Sequence, residues 1–184
     1  LLGIKRNSNL IGIGGGIVQD ITGFIASIIF RGVTWSFYPT TLLSQGDSCI
    51  GGKTSVNFGI AKNQLGNFYP PKEVYLYSTF LKGLRKKDVM SGLGELAHYY
   101  LISGKVDWKL FNYYLNKFLN NPTNLEVLEK ITFRSLKIKK KFIEKDEFDR
   151  GIRLILNYGH SFGHAIEKLT HHRIPHGLAV AHGM

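Results

Sequence analysis

Asn9-Leu10-Ile11-Gly12-Ile13-Gly14-Gly15-Gly16-Ile17-Val18-Gln19-Asp20-Ile21-Thr22-Gly23-Phe24-Ile25-Ala26-Ser27-Ile28-Ile29-Phe30 is the stretch that decides the fold class. Residues 9 to 13 form a short apolar run, three glycines follow, and Ile17 to Phe30 reads as a helix. The order is strand, glycine turn, helix, as at the start of an α/β unit. Glycines at such a turn let the backbone approach a ligand closely, and the exposed amides at the helix start favour a phosphate group. A glycine triplet alone is a weak signal, because any tight strand-to-helix turn can use one. Asp20 inside the first turn could equally complement the helix dipole.

Outward from that unit, Arg31-Gly32 ends the helix, and Thr34 to Tyr38 reads as a second strand running into Pro39-Thr40-Thr41-Leu42-Leu43. The proline stops regular structure at a strand end, where α/β proteins place ligand-binding groups. Asp47-Ser48-Cys49-Ile50-Gly51-Gly52-Lys53-Thr54 comes next, then Asn57 and Lys62-Asn63. The Gly-Lys-Thr resembles a Walker loop only superficially. The first glycine of that motif is missing at the required spacing before Lys53, which disfavours an ATPase. Tyr69-Pro70-Pro71 makes a rigid connection, and Glu73 to Tyr77 reads as a last strand. From about Thr79 onward helical patterns dominate, so the expected division is an α/β part over residues 1–78 and an all-α part over residues 79–184. Leu84 to Ile102 carries Glu95 and His98 three apart on one helical face, and Trp108 to Leu119 is an amphipathic helix read as core packing. After the turn Asn120-Asn121-Pro122-Thr123, a long helix runs from about Leu125 to Lys145. Lys137, Lys139, Lys140 and Lys141 of that helix read as a solvated face, an expectation kept for most of them.

The chain has 184 residues, enough for one domain or for parts of two. It opens on Leu1-Leu2 and closes at Met184 inside an apolar helical pattern, so an internal fragment is expected. With 43% hydrophobic and 20% charged residues the composition is globular. A net charge of +11 attracts anions. The basic residues are spread along the chain without an aromatic-interleaved nucleic-acid motif, so phosphorylated or carboxylated small molecules are the preferred partners and nucleic acid is not. Cys49 is the only cysteine, which excludes an intrachain disulfide and fits a reducing, cytoplasmic setting. Apolar runs such as Ile21 to Phe30 are too short to span a bilayer, so no membrane partner is expected.

The chemistry concentrates in Asn157-Tyr158-Gly159-His160-Ser161-Phe162-Gly163-His164-Ala165-Ile166-Glu167. Two histidines four apart share one helical face. Both could ligate a divalent cation, or one could ligate while the other handles a proton, and spacing does not choose between these. His176 follows in Pro175-His176-Gly177, and Glu95 lies upstream in Ser91-Gly92-Leu93-Gly94-Glu95-Leu96. Two histidines and a glutamate make a common catalytic zinc set with one position left open.

Together these segments resemble the 3-dehydroquinate synthase family of sugar phosphate cyclases. The shared patterns are Gly-Gly-Gly-x-x-x-Asp-x-x-Gly, Pro-Thr-Thr-Leu-Leu, Asp-Ser-x-x-Gly-Gly-Lys-Thr-x-Val-Asn and Gly-x-x-Lys-Asn, with Asn-x-Gly-His-Ser-x-Gly-His-Ala-x-Glu and His-Gly-x-Ala-Val-Ala-x-Gly-Met further on. The resemblance implies a cleft between an α/β domain of dinucleotide-binding, Rossmann-like type and an all-α metal-binding domain, with Glu95, His160 and His176 as ligands of zinc or cobalt. It implies His164 as an active-site histidine that is not a ligand. Asp47, Lys53, Asn63, Lys139, Arg153 and Asn157 match substrate or catalytic positions, and His98 stands at another. Gly15, Gly16, Asp20, Thr40, Thr41 and Lys62 match contacts to NAD. Arg31 matches an arginine that reaches into the neighbouring subunit's site, implying a homodimer.

The implied reaction is that of a lyase in the shikimate pathway of aromatic amino acid biosynthesis. It turns 3-deoxy-arabino-heptulosonate 7-phosphate into 3-dehydroquinate and phosphate, with NAD recycled. Three positions depart from the family pattern: His98 stands where lysine is usual, Leu178 where glutamate is usual, and Gly83 where threonine is often found. An uncharged histidine weakens one substrate contact, and loss of a carboxylate at 178 removes a partner for a metal ligand. The alternatives are another cyclase such as 2-deoxy-scyllo-inosose synthase, a metal-dependent alcohol or glycerol dehydrogenase, and a copy that binds without turnover. Lys139 and Arg153, as readers of a carboxylate, speak against the first. The Gly-Gly-Lys and Lys-Asn motifs speak against the second.

Overall fold

A computed structural model describes residues 3–59 and 61–184, and at Lys62 the backbone alone, so the expected cofactor role of its side chain lies outside the described residues. The first element is strand β1 (Asn9–Gly14), followed by helix α1 (Gly16–Ile28) and strand β2 (Thr34–Pro39). β1 and β2 pair in parallel from Asn9 opposite Thr34 to Gly14 opposite Pro39. After a hairpin of β3 (Val56–Phe58) and β4 (Ala61–Leu65), strand β5 (Glu73–Val74) joins β2 in parallel, giving the order β1-β2-β5. A central parallel strand is covered on both faces and reads as a nearly continuous apolar run. Trp35 and Phe37 of β2 are buried accordingly, packed with Ala26, Val33 and Cys49.

Helix α1 stops short of the expected Phe30. Phe30 and Arg31 adopt left-handed conformations, with φ of 51° and 68°. Val33 then donates its N–H to Ala26 O at 2.9 Å, folding the chain back toward β2. The hairpin adds two strands to a stretch for which the sequence suggested no element. The third parallel strand is shorter than Glu73 to Tyr77, although Tyr75 N–H still bonds to Phe37 O at 2.9 Å.

Helices dominate from residue 86: α2 (Lys86–Ser103), α3 (Lys105–Asn120), α4 (Leu125–Ile143), α5 (His160–Leu169) and α6 (His176–Gly183). Asn124 caps α4 by accepting from Val127 N–H. The buried positions of α4 are Val127, Leu128, Ile131, Thr132, Ser135, Ile138 and Lys139, the spacing of one helical face. That face closes over Leu93, Leu96 and Tyr100 of α2 and Phe111 and Phe118 of α3. Leu42, from the segment after β2, is fully buried in this same helical core. Its burial is worth about 1.5–3 kcal/mol and ties the α/β part to the helices. No helix among the described residues is long and apolar enough to cross a membrane.

Candidate active site

Two helix starts and one helix middle build the cluster of possible ligands. Gly159, with φ of 84°, turns the chain so that His160 opens α5, and Pro175 places His176 at the first position of α6. Glu95 sits in the middle of α2 and is almost fully buried. His160 Nε2 lies 3.2 Å from Glu95 Oε1, and His176 Nε2 lies 3.4 Å from Glu95 Oε2. One ligand atom from each of the three falls within 4.8 Å of the others. Glu95 Oε2 is buried and has no hydrogen-bond partner among the described residues, a costly state unless a cation meets it. Two neutral imidazoles and a carboxylate suit zinc or cobalt, so these residues fit a divalent metal.

The spacing of the set comes from backbone packing. A Cβ on Gly177 would overlap Ser91 O, and a Cβ on Gly94 would overlap Gly177 O. Only glycine therefore lets α6 lie against α2 at this distance, one residue from each of two ligands. Burial opposes charge on His160, yet the hydrogen-bonding contact and charge of Glu95 more than offset it and hold the imidazole's pKa above its ordinary value. A metal ion would take the place of that proton.

A cavity beside the cluster is lined by Asp20, Asp47, Lys53, Glu95, Lys139, Arg153, Asn157 and His160, eight of the residues singled out from sequence. Lys139 Nζ donates to Asp47 Oδ1 at 2.6 Å and to Asp47 O at 2.8 Å. Burial pushes the Asp47 carboxyl up, but the Lys139 charge and hydrogen bond, with the Tyr99 hydroxyl, bring its pKa below the usual value. Lys53 pairs with Asp149. Arg153 is 3% exposed; its guanidinium donates to Glu147 O and, at 3.1 Å, to Gly51 O.

At the opposite end lies the glycine turn. α1 has no side-chain cap, so amides of its first turn stay open to a ligand. A Cβ on Gly16 would meet open space, while one on Gly15 would press on Thr41 at 3.1 Å. Thr40 N–H bonds to Gly14 O at 2.8 Å, bringing the ends of β1 and β2 together. Asp20 accepts from Ser55 N–H and the Ser55 hydroxyl, and burial raises its pKa despite these bonds. A helix start with free amides and open space beside Gly16 fits a dinucleotide phosphate.

Other expected residues fall outside the cavity. His98 is 0% exposed and turned inward, its Nδ1 2.6 Å from Glu95 O, and burial lowers its pKa. His164 is exposed on α5, its ring 5.6 Å from those of His160 and His176. Asn63, on β4 with φ of 55°, accepts from the Ser55 hydroxyl and donates its N–H to Asn57 Oδ1. Arg31 lies exposed just past the far end of α1 from Gly15 and Gly16.

Three residues escaped the sequence reading. Tyr99 donates to Asp47, and burial raises its pKa well above the ordinary value. Asp149 pairs with Lys53 from the segment that follows α4. Glu167 closes the quoted histidine motif, and its Oε2 lies 3.1 Å from His176 Nδ1. It supplies the carboxylate behind a ligand whose absence Leu178 suggested.

Comparison with known proteins gives concordant results. Family models described as 3-dehydroquinate synthase N-terminal and 3-dehydroquinate synthase C-terminal match residues 2–91 and 92–184. The chain is 45% identical to a 3-dehydroquinate synthase of Alkaliphilus metalliredigens, over 99% of this chain and 51% of that one. It is 42% identical to the Pyrococcus furiosus enzyme of that name, over 100% and 52%. The chain thus spans about half the length of the curated relatives it matches. Among solved structures, 2-deoxy-scyllo-inosose synthase in complex with carbaglucose-6-phosphate, NAD+ and Co2+ matches with TM-score 0.84 and 30% identity, over 100% of this chain and 49% of that one. The 2-epi-5-epi-valiolone synthase of Streptomyces hygroscopicus, with NAD+ and Zn2+ bound, gives 0.85 and 27%, over 97% and 50%.

Proposed function

The chain belongs to the 3-dehydroquinate synthase family, and from that premise we propose that it converts 3-deoxy-arabino-heptulosonate 7-phosphate to 3-dehydroquinate and phosphate in the shikimate pathway. The observation that carries this reading is that Glu95, His160, Lys53, Lys139 and Arg153 face one cavity, so a metal site and a cationic anchor for an anion stand side by side. Relatives at 42–45% identity bear the same name, and solved cyclases hold NAD+ with Zn2+ or Co2+.

In this reading residues 1–78 are the second part of an NAD-binding domain and residues 79–184 a helical metal- and substrate-binding domain. Glu95, His160 and His176 hold the metal, with Glu167 orienting His176. Gly15, Gly16, Asp20, Thr40 and Thr41 line the NAD site. When bound, these groups supply a hydride acceptor and a Lewis acid that acidifies a neighbouring hydroxyl. Lys139 and Arg153 hold the substrate carboxylate, while Lys53 meets the phosphate-bearing side. Asn157 orients the substrate. His164, on the exposed face beside His160, moves protons during elimination and ring closure. The working protein is a cytoplasmic homodimer in which Arg31 reaches the partner's site.

The test is phosphate release from the heptulosonate phosphate by the intact protein with NAD and zinc, beside a His160→Ala control. Release that requires both cofactors and vanishes in the control is expected. A folded, zinc-loaded protein that releases nothing from this substrate rules the reading out.

A further inference from the structure

The segment between α4 and residue 152 is short and charged, Glu144-Lys145-Asp146-Glu147-Phe148-Asp149-Arg150-Gly151. Its contacts reach across the cleft to the α/β part. Phe148 packs edge-on against Phe68, with ring centroids 5.3 Å apart. Asp149, in a left-handed conformation with φ of 57°, pairs with Lys53. Arg153, just beyond, donates to Gly51 O and lies over the Phe68 ring. A loop that holds one residue in an uncommon conformation and buries an arginine beside it needs an internal fastening.

Asp146 supplies one. Its Oδ1 accepts from Arg150 N–H at 2.9 Å, and its Oδ2 accepts from Gly151 N–H at 2.7 Å and Arg153 N–H at 3.1 Å. One carboxylate thus ties down three amides of the turn that delivers Asp149 and Arg153. The Arg150 N–H bond, with those from Gly151 and Arg153, holds its carboxyl below the usual range, so it is ionised wherever the protein is folded near neutral pH. A charged acceptor makes the stronger kind of hydrogen bond. Asp146 does not line the cavity.

We infer that Asp146 is a positioning residue for substrate binding: it clasps residues 147–153 against the Gly51–Lys53 edge and so sets Arg153 and Asp149 in the cavity. This rests on the function proposed above. Asp146→Ala removes all three bonds. Asp146→Asn keeps an acceptor for Arg150 but turns an amide donor toward Gly151 and Arg153.

The experiment compares the intact wild-type protein with both variants in zinc content, thermal midpoint, steady-state kinetics on the heptulosonate phosphate, and amide hydrogen exchange of residues 147–153. Asp146→Ala is expected to raise KM roughly tenfold to a hundredfold, the scale of a misplaced anchoring group. Its kcat stays within a few-fold, its zinc content is unchanged, and exchange in the segment is faster. Asp146→Asn falls between wild type and Asp146→Ala. Unchanged KM in both variants, or unchanged exchange in the segment, overturns the inference. A wild-type protein that turns nothing over is a failure of the functional reading instead, and the exchange comparison still decides whether Asp146 holds the segment.

Discussion

Two lysine–carboxylate pairs join the same two parts of the molecule, and they run in opposite directions. Lys139 comes from the helical part and meets Asp47 of the α/β part; their side chains are 9% and 16% exposed. Lys53 comes from the α/β part and meets Asp149 on the helical side, and its side chain is 50% exposed. The first pair is built in, with Tyr99 as a third member, and removing one partner strands a charge out of water. The second is open to solvent on its lysine side alone, for the Asp149 side chain is 12% exposed, so its lysine gains less from the pairing than Lys139 does. Identical chemistry across one boundary thus differs in one respect: the first pair encloses its cation, and the second leaves its cation half in water.

The sharpest way to break this contrast is Lys139→Ala. It is expected to cost about 3–5 kcal/mol in denaturant unfolding, because Asp47 stays buried without its partner. Replacing both, as Asp47→Asn with Lys139→Met, should recover most of that loss. A single variant within 1 kcal/mol of wild type would erase the distinction.

A smaller effect separates the pairs by pH. Asp47 has a folded pKa below the unfolded value, so the stability it contributes is complete above about pH 4, the ordinary carboxylate value. That contribution is lost as pH falls further through the depressed folded value. Stability measured from neutral pH downward should show this acid limb in wild type and a flatter one in Asp47→Asn. A limb of equal steepness in both assigns the acid sensitivity elsewhere.

A smaller effect on stability is expected from Lys53→Ala, about 1–2 kcal/mol, because the lysine is half exposed while Asp149, at 12%, loses its partner. Its phosphate release should nevertheless fall by about tenfold or more, since an anion anchor is lost. An unfolding midpoint that drops as far as that of Lys139→Ala would show that the open pair is structural after all.

Much of this arrangement was legible in the sequence, for reasons that differ by residue. The strand, glycine turn and helix at 9–30 carry their own local rules, as do the histidines four apart. Lys139 was set apart from Lys137, Lys140 and Lys141 by the resemblance, and the apolar period of α4 gives the physical reason, placing it one turn past Ser135 on the buried face. The hairpin at 56–65 hid because its strands are three and five residues long and the second, Ala61–Leu65, has no apolar alternation. Tyr99, Asp146 and Asp149 were missed for a different reason. Tyr99 and Asp149 act on partners 52 and 96 positions away, and Asp146 acts through backbone amides that every residue possesses. His98 shows the reverse, since its place beside Glu95 suggested the cavity while the turn of α2 pointed it into the core.

The glycine contact between α2 and α6 has one more consequence. Because main chain rests on main chain at Gly94 and Gly177, the gap between Glu95 and His176 behaves as a fixed gauge. If the proposed ion binds between them, its two ligands start from a backbone spacing set by the skeleton of the protein as well as by their own side chains.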